Sequence, residues 1–184
     1  MKKTLVLLSI LVLTAGCRKD EQAAPAGSAQ VPAAVETNAR ATGTEVGSVM
    51  PEYSSTSLDG TRFALEDRRD RVVLLNLWAT WCGPCRYEIP ELQALHDRYA
   101  ARGFEVLGVS LDESGPEAVR EFVDEFKITY PISLDPEGQI ANIMQTSVLP
   151  TSVIIDRQGV IVWKKFGAVM PDDQELIQAI EKSL

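Results

Sequence analysis

The chain predicts a mixed α/β domain: a central mixed β-sheet flanked by helices, with an N-terminal β-hairpin extension. Three observations carry this. Short apolar runs of strand length alternate with stretches whose apolar residues recur at helical spacing. The run Val72–Trp78 is apolar but for Asn76, as suits a strand buried on both faces. A second hairpin closes the series, so parallel and antiparallel strands must share one sheet.

The elements follow in order. Tyr53–Leu58, the turn Asp59-Gly60 and Thr61–Leu65 read as a hairpin. Val72–Trp78 is the central strand. After it, Tyr87, Leu92, Leu95 and Tyr99 lie on a helical period that ends at Gly103. Phe104–Leu111 is a second buried strand. Pro116–Phe126 reads as a helix, with Val119, Phe122, Val123 and Phe126 on one stripe. Ile132–Leu134 is a short strand and Pro136–Met144 a short helix. Thr151–Ile155 and Val160–Lys164 are strands joined at Asp156–Gly159, and Asp172–Leu184 is a C-terminal helix.

What precedes this domain has a different character. Lys2 and Lys3 lead into an apolar run, Leu5–Leu13, broken only by Ser9. That run is about half the ~20 residues a spanning helix needs, so residues 1–16 read as a secretory signal. The ending Leu13-Thr14-Ala15-Gly16-Cys17 resembles the lipobox of bacterial lipoproteins. The resemblance implies cleavage before Cys17 and lipid on its thiol, which would hold the protein in the cell envelope, facing the periplasm. The alternative is a plain signal peptide with a chance cysteine. Residues 17–45 are rich in Ala, Pro, Ser, Gln, Thr and Gly, and read as lipid anchor and flexible tether. The domain is expected over 46–184.

With 18 basic against 26 acidic residues the net charge is −8, and losing Lys2 and Lys3 would bring it near −10. That balance argues against nucleic acid as a partner and against membrane attachment through basic patches alone.

The chemistry centres on Cys82-Gly83-Pro84-Cys85, placed between a buried strand and a helix. The attacking species in thiol exchange is the thiolate, and helix N-terminal N–H groups stabilise an anion. The spacing puts both sulfurs in the first turn, and Pro84 falls where a missing N–H costs little. Cys82, at the helix start, is expected to be the exposed nucleophile and Cys85 the shielded, resolving thiol. Two other uses compete for such a pair. Half a zinc site would need two further ligands, and the one histidine, His96, lies on the polar side of its helix. A purely structural disulfide closing so short a loop would restrict the unfolded chain little. No metal or cofactor is expected.

At these residues the chain resembles the thioredoxin superfamily and, more narrowly, the TlpA/ResA-type membrane-tethered thiol–disulfide oxidoreductases. The stretch Asn76–Cys85, then Glu88, Pro90 and Leu92, Leu149-Pro150-Thr151, and the turn Ile155-Asp156 to Gly159 carry the resemblance over about residues 46–184. It implies a thioredoxin-like fold in which Pro150 is the cis-proline facing the dithiol and Leu149 contacts substrate. Trp81, Gly83 and Pro84 would shape the site, and Trp78 would pack beside it. Asn76 stands where thioredoxin has a buried acid and cannot move protons. Glu88, one turn beyond Cys85, matches the acid of the ResA-like group and is assigned proton exchange with Cys85; the alternative is a solvated helix glutamate. Met144, Gln145 and Thr146 depart from the family's frequent Tyr-Gly-Val. The pairs Asp112-Glu113 and Asp172-Asp173 read as caps and solvated faces.

The expected function is therefore exported thiol–disulfide exchange, chiefly reduction of protein disulfides. The Gly-Pro pair is of the thioredoxin type, whose potential is about −270 mV. The resemblance further implies recharging by a membrane electron-relay protein of DsbD/CcdA type, and cytochrome c maturation as the family task. Two rivals belong to other classes. A peroxiredoxin-type peroxidase typically has Thr three residues before the reactive cysteine, where this chain has Ala79. A redox-inactive chaperone or binding module has no use for two sulfurs.

Overall fold

A computed structural model describes residues 40–184. The expected signal segment 1–16, Cys17 and most of the tether lie outside the described residues. Seven strands form one sheet in the order β2-β1-β5-β4-β3-β6-β7. They are β1 (Ser54–Ser57), β2 (Arg62–Ala64), β3 (Val72–Trp78), β4 (Phe104–Ser110), β5 (Ile132–Leu134), β6 (Thr151–Ile155) and β7 (Ile161–Phe166), with helices α1 (Gly83–Tyr99), α2 (Pro116–Phe126), α3 (Gln139–Ile143) and α4 (Gln174–Ser183). β3, β4 and β5 run parallel, and the other pairings are antiparallel. The mixed sheet is the one expected.

β3 is buried along its whole length, and its alternating side chains enter two separate cores. Val72, Leu74 and Trp78 pack with Leu92, Phe122 and Ile180, from α1, α2 and α4. Val73, Leu75 and Leu77 pack on the other face with Met50, Tyr53, Ile140 and Met144. Helices thus cover both faces, three on one side and α3 on the other. At Gly108 in β4 a Cβ would lie 2.8 Å from Ile132 Cδ1 and 2.9 Å from Trp78 Nε1. Only glycine lets that strand pass so closely under the tryptophan at the end of β3.

Several boundaries differ from expectation for identifiable reasons. The first hairpin is shorter, because Leu65–Arg68 turns into a 3₁₀ segment. The predicted Asp59-Gly60 turn is present, with Asp59 Oδ1 accepting from Thr61 N. α3 starts at Gln139 rather than Pro136: Gly138 takes the N-cap position in a left-handed conformation, and the Asp135 carboxylate accepts from Gln139 N and Ile140 N. β7 runs two residues further, to Phe166. α4 begins after Asp173, whose side chain accepts from Leu176 N; the expectation of a cap there fits. The hydrogen-bonded body also begins earlier than residue 46. Val49 N donates to Ala41 O and Gly43 N to Val49 O, Ile161 N donates to Ser48 O, and Lys164 Nζ to Thr44 O, so residues 41–45 fold back on Val49 and are tied to β7 through the Lys164 side chain. Among the described residues no helix is long and apolar enough to cross a membrane.

The helical register of α1 needs one correction. Tyr87, read as part of its apolar stripe, is 83% exposed. The buried stripe is Cys85, Glu88, Ile89, Leu92, Leu95 and Tyr99. A glutamate occupies a core position.

Candidate active site

The site forms where β3 gives way to α1. Trp78, the last residue of β3, is buried with its ring 4.9 Å from that of Phe122. The chain then turns: Cys82 N donates to Ala79 O, and Cys82 becomes the N-cap of α1. Its Sγ accepts from Cys85 N at 3.2 Å. This is the position where a sulfur anion gains most from unpaired helix N–H groups. Cys82 and Cys85 form a disulfide across a Cα–Cα distance of 5.3 Å. Cys82 is 5% exposed and Cys85 fully buried. The order of exposure is the one expected, but Cys82 is recessed rather than openly exposed; beside it Trp81 stands 69% exposed.

Behind Cys85 lies a buried polar cluster. Glu88 is fully buried. Its Oε1 accepts from Asn76 Nδ2 at 2.7 Å, and its Oε2 from Val169 N at 2.8 Å. The second Asn76 amide proton goes to Ser152 Oγ at 2.9 Å. Burial pushes the Glu88 pKa up to about 7, against the downward pull of these donors and of Lys165. The group therefore titrates near neutrality, on the helix face it shares with Cys85 one turn away. The solvated-glutamate alternative does not describe this side chain. Asn76 stays a non-titrating residue and serves as a donor to Glu88.

The third component is the loop before β6. The Leu149–Pro150 peptide bond is cis, and Pro150 O accepts from Gly167 N. Leu149 makes no backbone hydrogen bond among the described residues, which leaves its N–H and C=O available to an incoming strand. Gln145 holds a left-handed φ of 50° at the position where the resembled family often has glycine. Thr146 Oγ1 accepts from Val148 N, and Thr151 Oγ1 donates to Val148 O.

These elements enclose a groove of about 530 Å³. Trp81, Cys82, Gly83 and Pro84 line it together with Thr146 and Leu149, and so do Leu111 and Glu113. Of the residues expected at the site, Pro150 is absent from the groove lining and reaches it only through Leu149. Trp78 is core packing rather than surface.

Three residues of this region escaped the sequence reading. Asp112, a cap or a solvated charge by sequence, is buried. It accepts from Thr80 N at 3.0 Å, Thr80 Oγ1 at 2.5 Å and Ser110 Oγ at 2.7 Å. Its place directly after a buried strand was the available signal. Ser152 and Val169 carried none, since their roles depend on long-range packing. His96 is half-buried rather than solvated, edge-on to Tyr130 at 6.0 Å. Among the described residues no group of three His, Cys, Asp or Glu side chains is arranged to hold a metal ion.

Comparison with known proteins accords with this geometry. A family model described as "AhpC/TSA family" matches residues 46–164. Thiol-disulfide oxidoreductase ResA of Geobacillus kaustophilus is 36% identical over 135 residues, 73% of this chain and 76% of that protein. ResA of Bacillus cereus is 33% identical over 123 residues, 67% of this chain and 70% of that protein. A Chlorobium tepidum structure assigned to the thiol:disulfide interchange proteins DsbE superposes with a TM-score of 0.70 at 30% identity, covering 76% of this chain and 97% of that one.

Proposed function

The chain belongs to the AhpC/TSA family, as a thiol–disulfide oxidoreductase of the ResA type, and on that premise we propose that it is an exported reductase of protein disulfides. One observation carries the reading: a dithiol at a helix N-terminus, with Cys82 lining a groove and Cys85 fully buried one helical turn from the buried carboxyl group of Glu88.

In the reduced protein the Cys82 thiolate attacks one sulfur of a substrate disulfide. A mixed disulfide forms, and the displaced substrate sulfur leaves as a thiolate that takes a proton from solvent. Cys85 passes its proton to the Glu88 carboxylate and attacks Cys82 Sγ. The second substrate sulfur leaves, the Cys82–Cys85 disulfide is restored, and two electrons have moved to the substrate. The free N–H and C=O of Leu149 orient the substrate chain as an added strand, and Trp81, Gly83 and Pro84 shape its path past Cys82.

Reduction outside the cytoplasm needs a source of electrons. A membrane relay of DsbD/CcdA type is the donor proposed here, with the lipid on Cys17 keeping the domain near it in the cell envelope. Haem-attachment cysteines of c-type cytochromes are the proposed substrates. Support for these finer points comes from the leader's resemblance to a lipobox and from the family's known task.

The direct test assays disulfide reduction and peroxide consumption side by side on the purified protein. Reduction of a polypeptide disulfide without peroxide turnover is the expected result. Peroxide turnover without disulfide reduction would assign the dithiol to peroxidase chemistry.

A further inference from the structure

We propose that Asp112 is a positioning residue for the exchange reaction: through Thr80 it holds the dithiol-bearing loop against the end of β4, and so sets the opening in which a substrate disulfide meets Cys82. The inference rests on the oxidoreductase reading above.

β3 and β4 run side by side up to the pair Trp78 and Ser110, and Leu111 N still donates to Trp78 O. Beyond that point the strands have no further ladder. Leu111 and Glu113, on either side of Asp112, line one part of the groove; Trp81 and Cys82, which follow Thr80, line another. Asp112 joins the two. One carboxylate oxygen takes the Thr80 hydroxyl, and the other takes Thr80 N–H and Ser110 hydroxyl.

A carboxylate is suited to this, since both its oxygens accept and neither donates. An amide of the same size would present an N–H₂ group to one set of donors. Among the described residues no Lys or Arg lies within ion-pairing distance of Asp112. Its charge is held by these donors alone, through bonds of the stronger, charge-assisted kind. Because Cys82 N is bonded in turn to Ala79 O, next to Thr80, the restraint passes to the nucleophile within two residues.

The test is single-turnover reduction of two disulfides by the prereduced full chain. One is a disulfide-bridged peptide long enough to lie along the groove, and the other is hydroxyethyl disulfide, too small to span it. The variants are Asp112→Asn, Thr80→Val, which keeps the carboxylate but loses the hydroxyl bond, and Thr80→Ser, which keeps both bonds. Loosening one wall of the groove weakens the hold on a long peptide, and losing one hydrogen bond to a charged group corresponds to roughly a tenfold change in an equilibrium constant, so the half-saturating peptide concentration is expected to rise about tenfold in Asp112→Asn. Thr80→Val should show a smaller rise, and Thr80→Ser should keep the original value. The hydroxyethyl disulfide rate should fall by a clearly smaller factor. Equal losses for both substrates, or an unchanged half-saturation in Asp112→Asn and Thr80→Val, would overturn the proposal. If the unsubstituted chain reduces neither disulfide, the oxidoreductase reading fails first and the positioning role with it.

Discussion

At the scale of single residues, Glu88 carries the most chemistry. Its raised pKa means that the folded state binds a proton more tightly than the unfolded chain does. Stability from this group is therefore fully present below about pH 4.5 and is lost as pH rises through about 7. The difference corresponds to about 3 kcal/mol between those limits. In Glu88→Gln the term disappears, so the fall in unfolding free energy between pH 4.5 and 8 should flatten relative to the parent; denaturant titrations across that range check it. The same substitution removes the acceptor for the Cys85 proton. Resolution of the mixed disulfide should speed up through about pH 7 in the parent, and should lack that limb in the variant. Stopped-flow rates at a series of pH values would show this, and an unchanged profile would remove Glu88 from the mechanism. The sequence offered the identity of this residue but not its environment. Glu88 is three positions from Cys85 and one turn along, which spacing alone supplies; that both its oxygens are bound, by Asn76 and Val169, depends on partners 12 and 81 residues distant.

At the scale of elements, the boundaries follow from caps that only partly show in sequence. Asp173 is legible as an N-cap, and its side chain also binds Lys165. Asp173→Ala should lower stability by about 1–2 kcal/mol, read as a shift in the unfolding midpoint with exchange activity retained below it. Gly108→Ala should be more damaging, since the added methyl meets both Ile132 and Trp78; overpacking of this kind costs about 1–3 kcal/mol. A Gly108→Ala protein with unaltered stability would show that the tryptophan can move aside. The strand β3 was legible because burial on both faces leaves a continuous apolar run. The α1 stripe was misread at Tyr87, because an aromatic residue on a helical period resembles a core position and a glutamate does not. Tyr87 faces solvent, and the polar Glu88 is inside because the site needs it there. Asp112 was misread for the same reason: charge patterning argues for exposure, and only the donors gathered around it reveal a buried anion.

At the scale of the whole molecule, the sequence carried the sheet and the dithiol, while the packing of loops against one another was hidden in it. The segment 41–45, paired with Ser48 and Val49, is the clearest case. Its composition is that of a linker, and it is ordered by backbone pairing that composition does not report. The leader reading adds a separate expectation about the full chain: Cys17→Ser, expressed in a bacterial host, should move the protein from the membrane fraction to the soluble fraction of the envelope. Partitioning unchanged by that substitution would set the lipid proposal aside.

Catalysis turns on the order in which the two sulfurs act. Trapping with Cys85→Ser tests it most directly. The variant keeps the groove and the Cys82 nucleophile but has no resolving thiol. On mixing with a disulfide-bonded polypeptide it is expected to form a stable one-to-one covalent adduct, released by dithiothreitol and mapped by mass spectrometry to Cys82. Cys82→Ser should form little adduct, since Cys85 is sealed. Adducts that accumulate instead on Cys85 in the Cys82→Ser protein, with none on Cys82 in its counterpart, would contradict the account.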